Sequence, residues 1–355
     1  MSEEVIATRI LKDGEELLIK IATPPLSKIL VNVFLKTPEL SKTEHESRMR
    51  LFGAFRNQSS DYFLVGELNG EIAGTLWYCT AANCRETAYM GEVFTEERQR
   101  RKGIATKLLE VAVDIFRKGG GRSIYVTNLC PRAPHEFCRK LGFRAYGYGQ
   151  QSYGGIIRLI VNGRTEDFDG DYYKYDSITS IRNVNWGDLP HFIALLNYPH
   201  EWIVRAYNFG LIGPAVFDEL GRSFMNFMKT VKPGNCCLVL EDSRKRMVGT
   251  AYSSSLLSRS QSHVKTVDLL VHPNYYGEAS HLLETLTEEL SRNKVDKLQA
   301  YAAAQDESKV EILRHCGFEK ESTMQDQLLI GGKKVNLEAY SKHLMTEDDL
   351  YDRRI

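Results

Sequence analysis

The chain repeats itself, and that constrains its fold more than any single motif. The segment from Asp61 to Thr75 reads as two alternating arms joined by Asn69-Gly70, a pair that favours a tight hairpin turn, and it ends on Gly74-Thr75. From Cys237 the same pattern runs to Gly249-Thr250, 175 residues further on. At the same offset of 175, Leu141-Gly142-Phe143 returns as Cys316-Gly317-Phe318. Two landmarks in one register, each set in a similar order of elements, indicate two copies of one fold. Strands interleaved with helices make that fold α/β, with a mixed, mostly antiparallel sheet flanked by helices in each copy. The expected division is residues 1–170 and 171–355, and the last ten residues read as a solvated tail.

Within the first copy, a strand is predicted over 16–22 and helices over 26–35 and 44–56, followed by the hairpin and a strand over 88–95. A helix after Gly103 puts Ile104, Leu108, Ala112, Ile115 and Phe116 near one face, and Gly119-Gly120-Gly121 ends it. A strand over 123–127, a short helix over 133–141 and strands over 143–148 and 156–161 complete the unit. An acidic, aromatic stretch over 164–173 joins the copies.

Bulk composition narrows the function classes. Lys plus Arg and Asp plus Glu both number 46, so no net field draws the whole chain to nucleic acid or anionic lipid, and neither is an expected partner. The charged first residues lack the apolar core of a signal peptide, and no apolar run approaches the roughly 20 residues that span a bilayer. The seven cysteines are odd in number and lack C-x-x-C spacing, and the histidines form no H-x-x-x-H pair. Reduced thiols in a cytoplasm, with no metal, are the expectation.

Chemistry concentrates in Glu92-Val93-Phe94-Thr95 and the loop that follows it, up to Arg100-Arg101-Lys102-Gly103-Ile104-Ala105-Thr106. There a strand ends, a charged loop turns, and a helix starts at a glycine. The first amides of a helix lack intrahelical acceptors and lie at the positive end of its dipole, so a pyrophosphate can bind them directly. Gly103 and Ala105 allow close approach, and Arg100, Arg101 and Lys102 add positive charge. Read by spacing alone, the same residues also fit an ordinary basic turn before a solvated helix.

Arg100-x-x-Gly103-x-Ala105 resembles the Arg/Gln-x-x-Gly-x-Gly/Ala signature of the GNAT superfamily of acetyltransferases, and Phe137 to Phe143 resembles its later Tyr-x-x-x-Gly-Phe helix. The resemblance implies acetyl-CoA as cosubstrate, with Arg100 to Thr106 on the pyrophosphate. It further implies that Val93, Phe94 and Thr95 offer backbone groups to the acetyl carbonyl and pantetheine arm, and that Phe137 packs near the pantetheine. It implies direct transfer of acetyl to an amine without a covalent enzyme intermediate. Aligned on Gly142-Phe143, the tyrosine that protonates the leaving thiolate in the family falls on Cys138. Cys138 is then an acid, a nucleophile, or a small buried residue, with Tyr146 and Tyr148 as other acids. Glu92 is the first candidate base, unless it faces solvent or an ion pair, and Tyr89 and His135 follow.

In the second copy, the stretch from Asp268 to His281 has the same strand–loop–helix order, but Tyr276, Ala279 and His281 stand at the signature positions and the loop is no longer basic. Leu313 takes the tyrosine position. This copy is expected to have lost acyl-CoA binding and to serve as scaffold. The expected function is acetyl transfer to a primary amine of a small molecule. A non-catalytic acyl-CoA sensor or complex subunit is the alternative, and either is compatible with a homodimer.

Overall fold

The computed structural model describes residues 2–34, 58–127, 135–146, 156–161, 165–204, 236–255, 259–293, 295–330 and 332–344. The expected helix over 44–56, Tyr148 and the C-terminal tail lie outside these residues.

The first half comprises β1 (Ser2–Ile10), β2 (Glu16–Thr23), α1 (Lys28–Phe34), β3 (Ser59–Leu68), β4 (Glu71–Ala81), β5 (Thr87–Thr95), α2 (Ile104–Lys118), β6 (Ser123–Thr127), α3 (His135–Lys140), β7 (Arg144–Tyr146) and β8 (Ile156–Ile160). Its strands form one sheet in the order β1-β2-β3-β4-β5-β6-β8-β7. Then follow α4 (Thr165–Tyr172), β9 (Ile178–Asn183), α5 (Leu189–Asn197), β10 (Cys237–Asp242), β11 (Met247–Ser255), β12 (Val264–Val271), α6 (Ala279–Arg292), β13 (Lys297–Ala303), α7 (Glu307–His315), β14 (Glu319–Ile330) and β15 (Lys333–His343). The second sheet runs β9-β10-β11-β12-β13-β15-β14. This is the order of the first sheet without β1. In each sheet one neighbouring pair is parallel, β5 with β6 and β12 with β13, and the other pairs are antiparallel.

The repeated landmarks have physical causes. At Gly74 a Cβ would stand 2.8 Å from Ile104 Cγ2 and 2.9 Å from the Phe94 carbonyl oxygen, so glycine lets the first residue of α2 close onto the sheet. Its neighbour Thr75 donates to the Glu92 carbonyl at 3.4 Å, and Thr250 donates to the Leu238 carbonyl at 2.9 Å. Gly142 and Gly317, at φ 97° and 79°, each end a helix. Phe143 N returns to the Cys138 carbonyl and Phe318 N to the Leu313 carbonyl, both at about 3.1 Å or less, which makes the same Schellman cap twice.

Three features go beyond the sequence reading. The first residues, read only as charged, form β1, which pairs with β2 from Ser2 opposite Thr23 to Ile10 opposite Glu16. The joining stretch is a helix, α4, and the expected boundary after residue 170 falls inside it. Asp169 takes two hydrogen bonds from Arg158 of β8, at 2.5 and 3.1 Å, and Asp171 takes one from Arg122 at 2.5 Å. The Asp171 and Tyr172 carbonyls accept from Arg244 in the β10–β11 turn, so α4 is fastened to both sheets. Finally, every residue of α5 is buried, because the helix packs on β4, β5 and β6 on one side and on β11 and β12 on the other. A helix buried on every face needs such a double cover, and its polar His191 and Asn197 are hydrogen-bonded to Tyr172 and to the Ile193 carbonyl.

Candidate active site

The site begins with a fault in β5. Ala88 and Met90 belong to the core beneath α2, whereas Tyr89 belongs to the core on the opposite face, and Gly91 faces Trp77 on that side. Strict alternation would put Val93 with Gly91, yet Val93 packs with the α2-side core. The register with β4 slips between Thr75 and Trp77, and the extra residue is Glu92, at φ 52°. A bulge that puts a non-glycine residue in the left-handed region is strained, and such strain collects at functional positions. On its other edge β5 pairs with β6 from Thr87–Ser123 to Met90–Val126. Beyond Met90 the parallel ladder stops, so Gly91 to Thr95 run along a split in the sheet.

The split leads into the loop. A short 3-10 turn, Glu97–Gln99, follows β5, and Arg101 and Gly103 then adopt φ 71° and 97°. Gly103 caps α2, and the first helical bond is Lys107 N to the Gly103 carbonyl. Among the described residues, the amides of Arg101 through Thr106 donate to no other group. They are the donors an anion needs, at the positive end of a helix of 15 residues. Space beside Gly103 is open, since a Cβ there would find nothing nearer than Lys12 Cε at 3.8 Å. Ile104 is buried under Gly74, while Ala105 and Thr106 are half-buried at the helix start.

The three cations differ from one another. Arg100 is exposed, with Nε 3.5 Å from the Thr95 carbonyl oxygen and a loose contact of 3.9 Å to Glu97. Arg101 is exposed. Lys102, expected on the pyrophosphate, turns the other way. Its ammonium hydrogen-bonds Glu15 and lies 3.1 Å from Asp13, both in the β1–β2 turn. These carboxylates, Glu15 first and then Asp13, raise the lysine's pKa above its ordinary value.

Of the proposed chemical groups, Cys138 belongs to the core. It is 3% exposed within the core between α2 and the sheet, and burial pushes its thiol up to about 12. It stands at the helix position of the Schellman cap that Leu313 fills in the second half. That placement suits packing better than proton donation. The hydroxyl of Tyr146 lies 3.4 Å from both carboxylate oxygens of Asp169, under the Arg158 guanidinium. The backbone of Phe137 and His135 is in α3. Sequence reasoning missed Asp61, on the sheet face opposite α2. Its carboxylate accepts from Trp77 Nε1 at 2.9 Å, and burial raises it to about 6. A lone acid in an apolar strand was its only signal.

The second half repeats the architecture and closes it. The β12–β13 ladder also stops early, after Thr266–Gln299. There Lys309 of α7 donates to Asp268 on β12 at 2.7 Å and to the Val204 carbonyl at 2.9 Å. Asp306, just past β13, accepts from the amides of Ile203 and Val204 at 2.6 and 2.8 Å. The chain's own residues thus bridge both edges of the split, and Trp202 stacks on Tyr276 with ring centroids 5.2 Å apart. In place of a loop, a 3-10 helix (Pro273–Glu278) capped by His272 runs straight into α6, where Ala279 N donates to the Tyr276 carbonyl. In this helical run the amides of Asn274, Tyr275 and Ala279 are taken, by His272 Nδ1 and by the His272 and Tyr276 carbonyls.

Fold and site together describe an α/β protein with an open helix start beside a split sheet. Residues 29–143, which carry that site, match the acetyltransferase (GNAT) family. No curated protein matches the chain. Among solved structures, the chain is similar to ribosomal-protein-alanine N-acetyltransferase from Brucella melitensis, at 21% identity and a TM-score of 0.40, over 46% of this chain and 99% of that one. It is also similar to a GNAT superfamily phosphinothricin acetyltransferase from Sinorhizobium meliloti, at 17% identity and 0.40, over 47% and 88%. An N-acetyltransferase from Staphylococcus aureus Mu50 aligns at 17% identity and 0.40, over 47% and 98%. No helix among the described residues is long and apolar enough to cross a membrane, and no group of His, Cys, Asp or Glu among them could hold a metal ion.

Proposed function

We propose that the first half is an acetyltransferase that moves acetyl from acetyl-CoA to a primary amine of a small molecule, and that the second half is a scaffold without a cofactor site. The open amides of Arg101 to Thr106, at the head of α2 and beside the split in β5, are the observation that carries this reading. They suit the pyrophosphate, with Arg100 and Arg101 within reach to add charge. The strand edge from Val93 to Thr95 then offers backbone groups to the pantetheine arm and the thioester carbonyl, as the resemblance to the family that residues 29–143 match implies.

In the transfer, the amine nitrogen adds to the thioester carbon, the carbonyl becomes an oxyanion, and the carbon–sulfur bond breaks. The proton lost by nitrogen ends on the CoA sulfur. Backbone amides aimed at the oxyanion and exact positioning of the two reactants supply most of the acceleration. Glu92, as the extra residue of the bulge, is the proposed base, and Cys138 is assigned to packing.

Closure of the second split by Lys309, Asp306 and residues 202–204, together with the helical run through Ala279, supports a single cofactor site per chain. Thiol release from acetyl-CoA, measured against a broad panel of amines, tests the activity. Stimulation by at least one amine is expected. CoA binding with no stimulation by any amine would instead favour a sensor.

A further inference from the structure

The loop that presents the open amides carries an unusual load. Arg101 and Gly103 both have positive φ, and only Gly103 is free of the cost of doing so. A loop in this form needs support from outside, and β1 and β2 supply it. Lys12 N donates to the Lys102 carbonyl at 3.4 Å. That carbonyl is the acceptor Thr106 N would take if α2 began a residue earlier; here it accepts from Lys12, and Thr106 N has no acceptor among the described residues. From the same turn Glu15 and Asp13 grip the Lys102 ammonium. The turn itself is ordered, with Glu15 N donating to Asp13 Oδ1 at 3.3 Å and Gly14 N to the Leu11 carbonyl at 3.1 Å. Among the described residues no strand of the second sheet corresponds to β1, and the second half also lacks the open loop. Added strand and open amides occur together.

We infer that the β1–β2 turn is a positioning clamp for the cradle: Asp13 and Glu15 hold Lys102 off the phosphates, and Lys102 acts by fixing the loop and not as a phosphate ligand. This rests on the reading of Arg101 to Thr106 as an acyl-CoA site. An exposed ion pair adds little to global stability, so its loss acts locally, on the order of the loop.

Five full-length chains test it by calorimetric titration with CoA: wild type, Asp13→Asn with Glu15→Gln, Lys102→Met, Lys102→Arg, and Asp13→Asn with Glu15→Gln and Lys102→Met together. The clamp predicts that the carboxamide pair and Lys102→Met each weaken CoA binding by about tenfold, that the combination is no weaker than either, and that Lys102→Arg restores most of the loss. Hydrogen exchange without ligand should also quicken across residues 101–106 in the carboxamide chain. If the carboxamide chain binds CoA as tightly as wild type or tighter while Lys102→Met binds weakly, the lysine is a phosphate ligand and the clamp is overturned. Unchanged exchange across the loop in the carboxamide chain overturns it as well. Failure of the wild-type chain to bind CoA would strike the site reading itself, before any substitution is compared, and the clamp would fall with it.

Discussion

At Cys138 two demands compete, since a proton donor must reach the leaving sulfur and a cap residue must fill the core. The thiol is buried among apolar side chains and pushed up to about 12, and its counterpart in the second half is Leu313. Packing wins on both counts. Cys138→Ala should therefore leave the pH–rate profile unchanged and lower stability by about 1 kcal/mol, the scale for removing one small buried group. Urea unfolding and a pH–rate series measure the two effects. A lost basic or acidic limb with unchanged stability would return Cys138 to the chemistry. Glu92 makes the opposite case: Glu92→Gln should cut turnover by roughly 100-fold or more and spare CoA affinity, as expected for a base. Unchanged turnover in single-turnover measurements would move the base elsewhere, with Asp61, raised to about 6, the next carboxylate to test.

At the scale of elements, the site depends on how closely α2 sits on the sheet. Gly74 sets that distance, and a Cβ there would press on Ile104 and on the Phe94 carbonyl. Gly74→Ala should cost about 1–3 kcal/mol by overpacking and weaken CoA binding, because the backbone it displaces is the cradle's own strand and helix. Thermal melting with parallel titration checks both, and a loss of stability with full affinity would uncouple them. Gly74 also shows how far a sequence can be read. Its recurrence as Gly249 revealed the repeat, and the Asn69-Gly70 turn, at φ 51° and 80°, is local chemistry. The helix start at Gly103 was legible for the same reason. What escaped was long-range. Lys102 meets Glu15 from 87 residues away, a contact that its spacing beside Arg100 and Arg101 could not show. Residues 2–10 show no alternation of apolar and polar side chains, so nothing local announced β1. Only tertiary packing reveals α5 as a helix shared by two sheets.

At the scale of the molecule, the two halves share a core, and α5 and α4 join them. His272 lies in that junction, its ring stacked on Tyr173 with centroids 4.1 Å apart. Burial, and then the charge of Arg246, hold its pKa at about 3, below the ordinary 6.5. The folded chain therefore keeps this ring neutral while the unfolded chain takes up a proton below pH 6.5. Its contribution is complete above pH 6.5 and is lost as pH falls toward 3, at up to about 1.4 kcal/mol per pH unit. His272→Asn should flatten the fall in urea midpoint over that window, and an unchanged slope would exclude the histidine. The central claim is that one half binds acyl-CoA and the other does not, and calorimetric titration of the whole chain with CoA tests it most directly. One CoA per chain is predicted, abolished by Gly103→Trp with the fold intact and unaffected by Ala279→Trp. Two CoA per chain, or binding that survives Gly103→Trp, would contradict it.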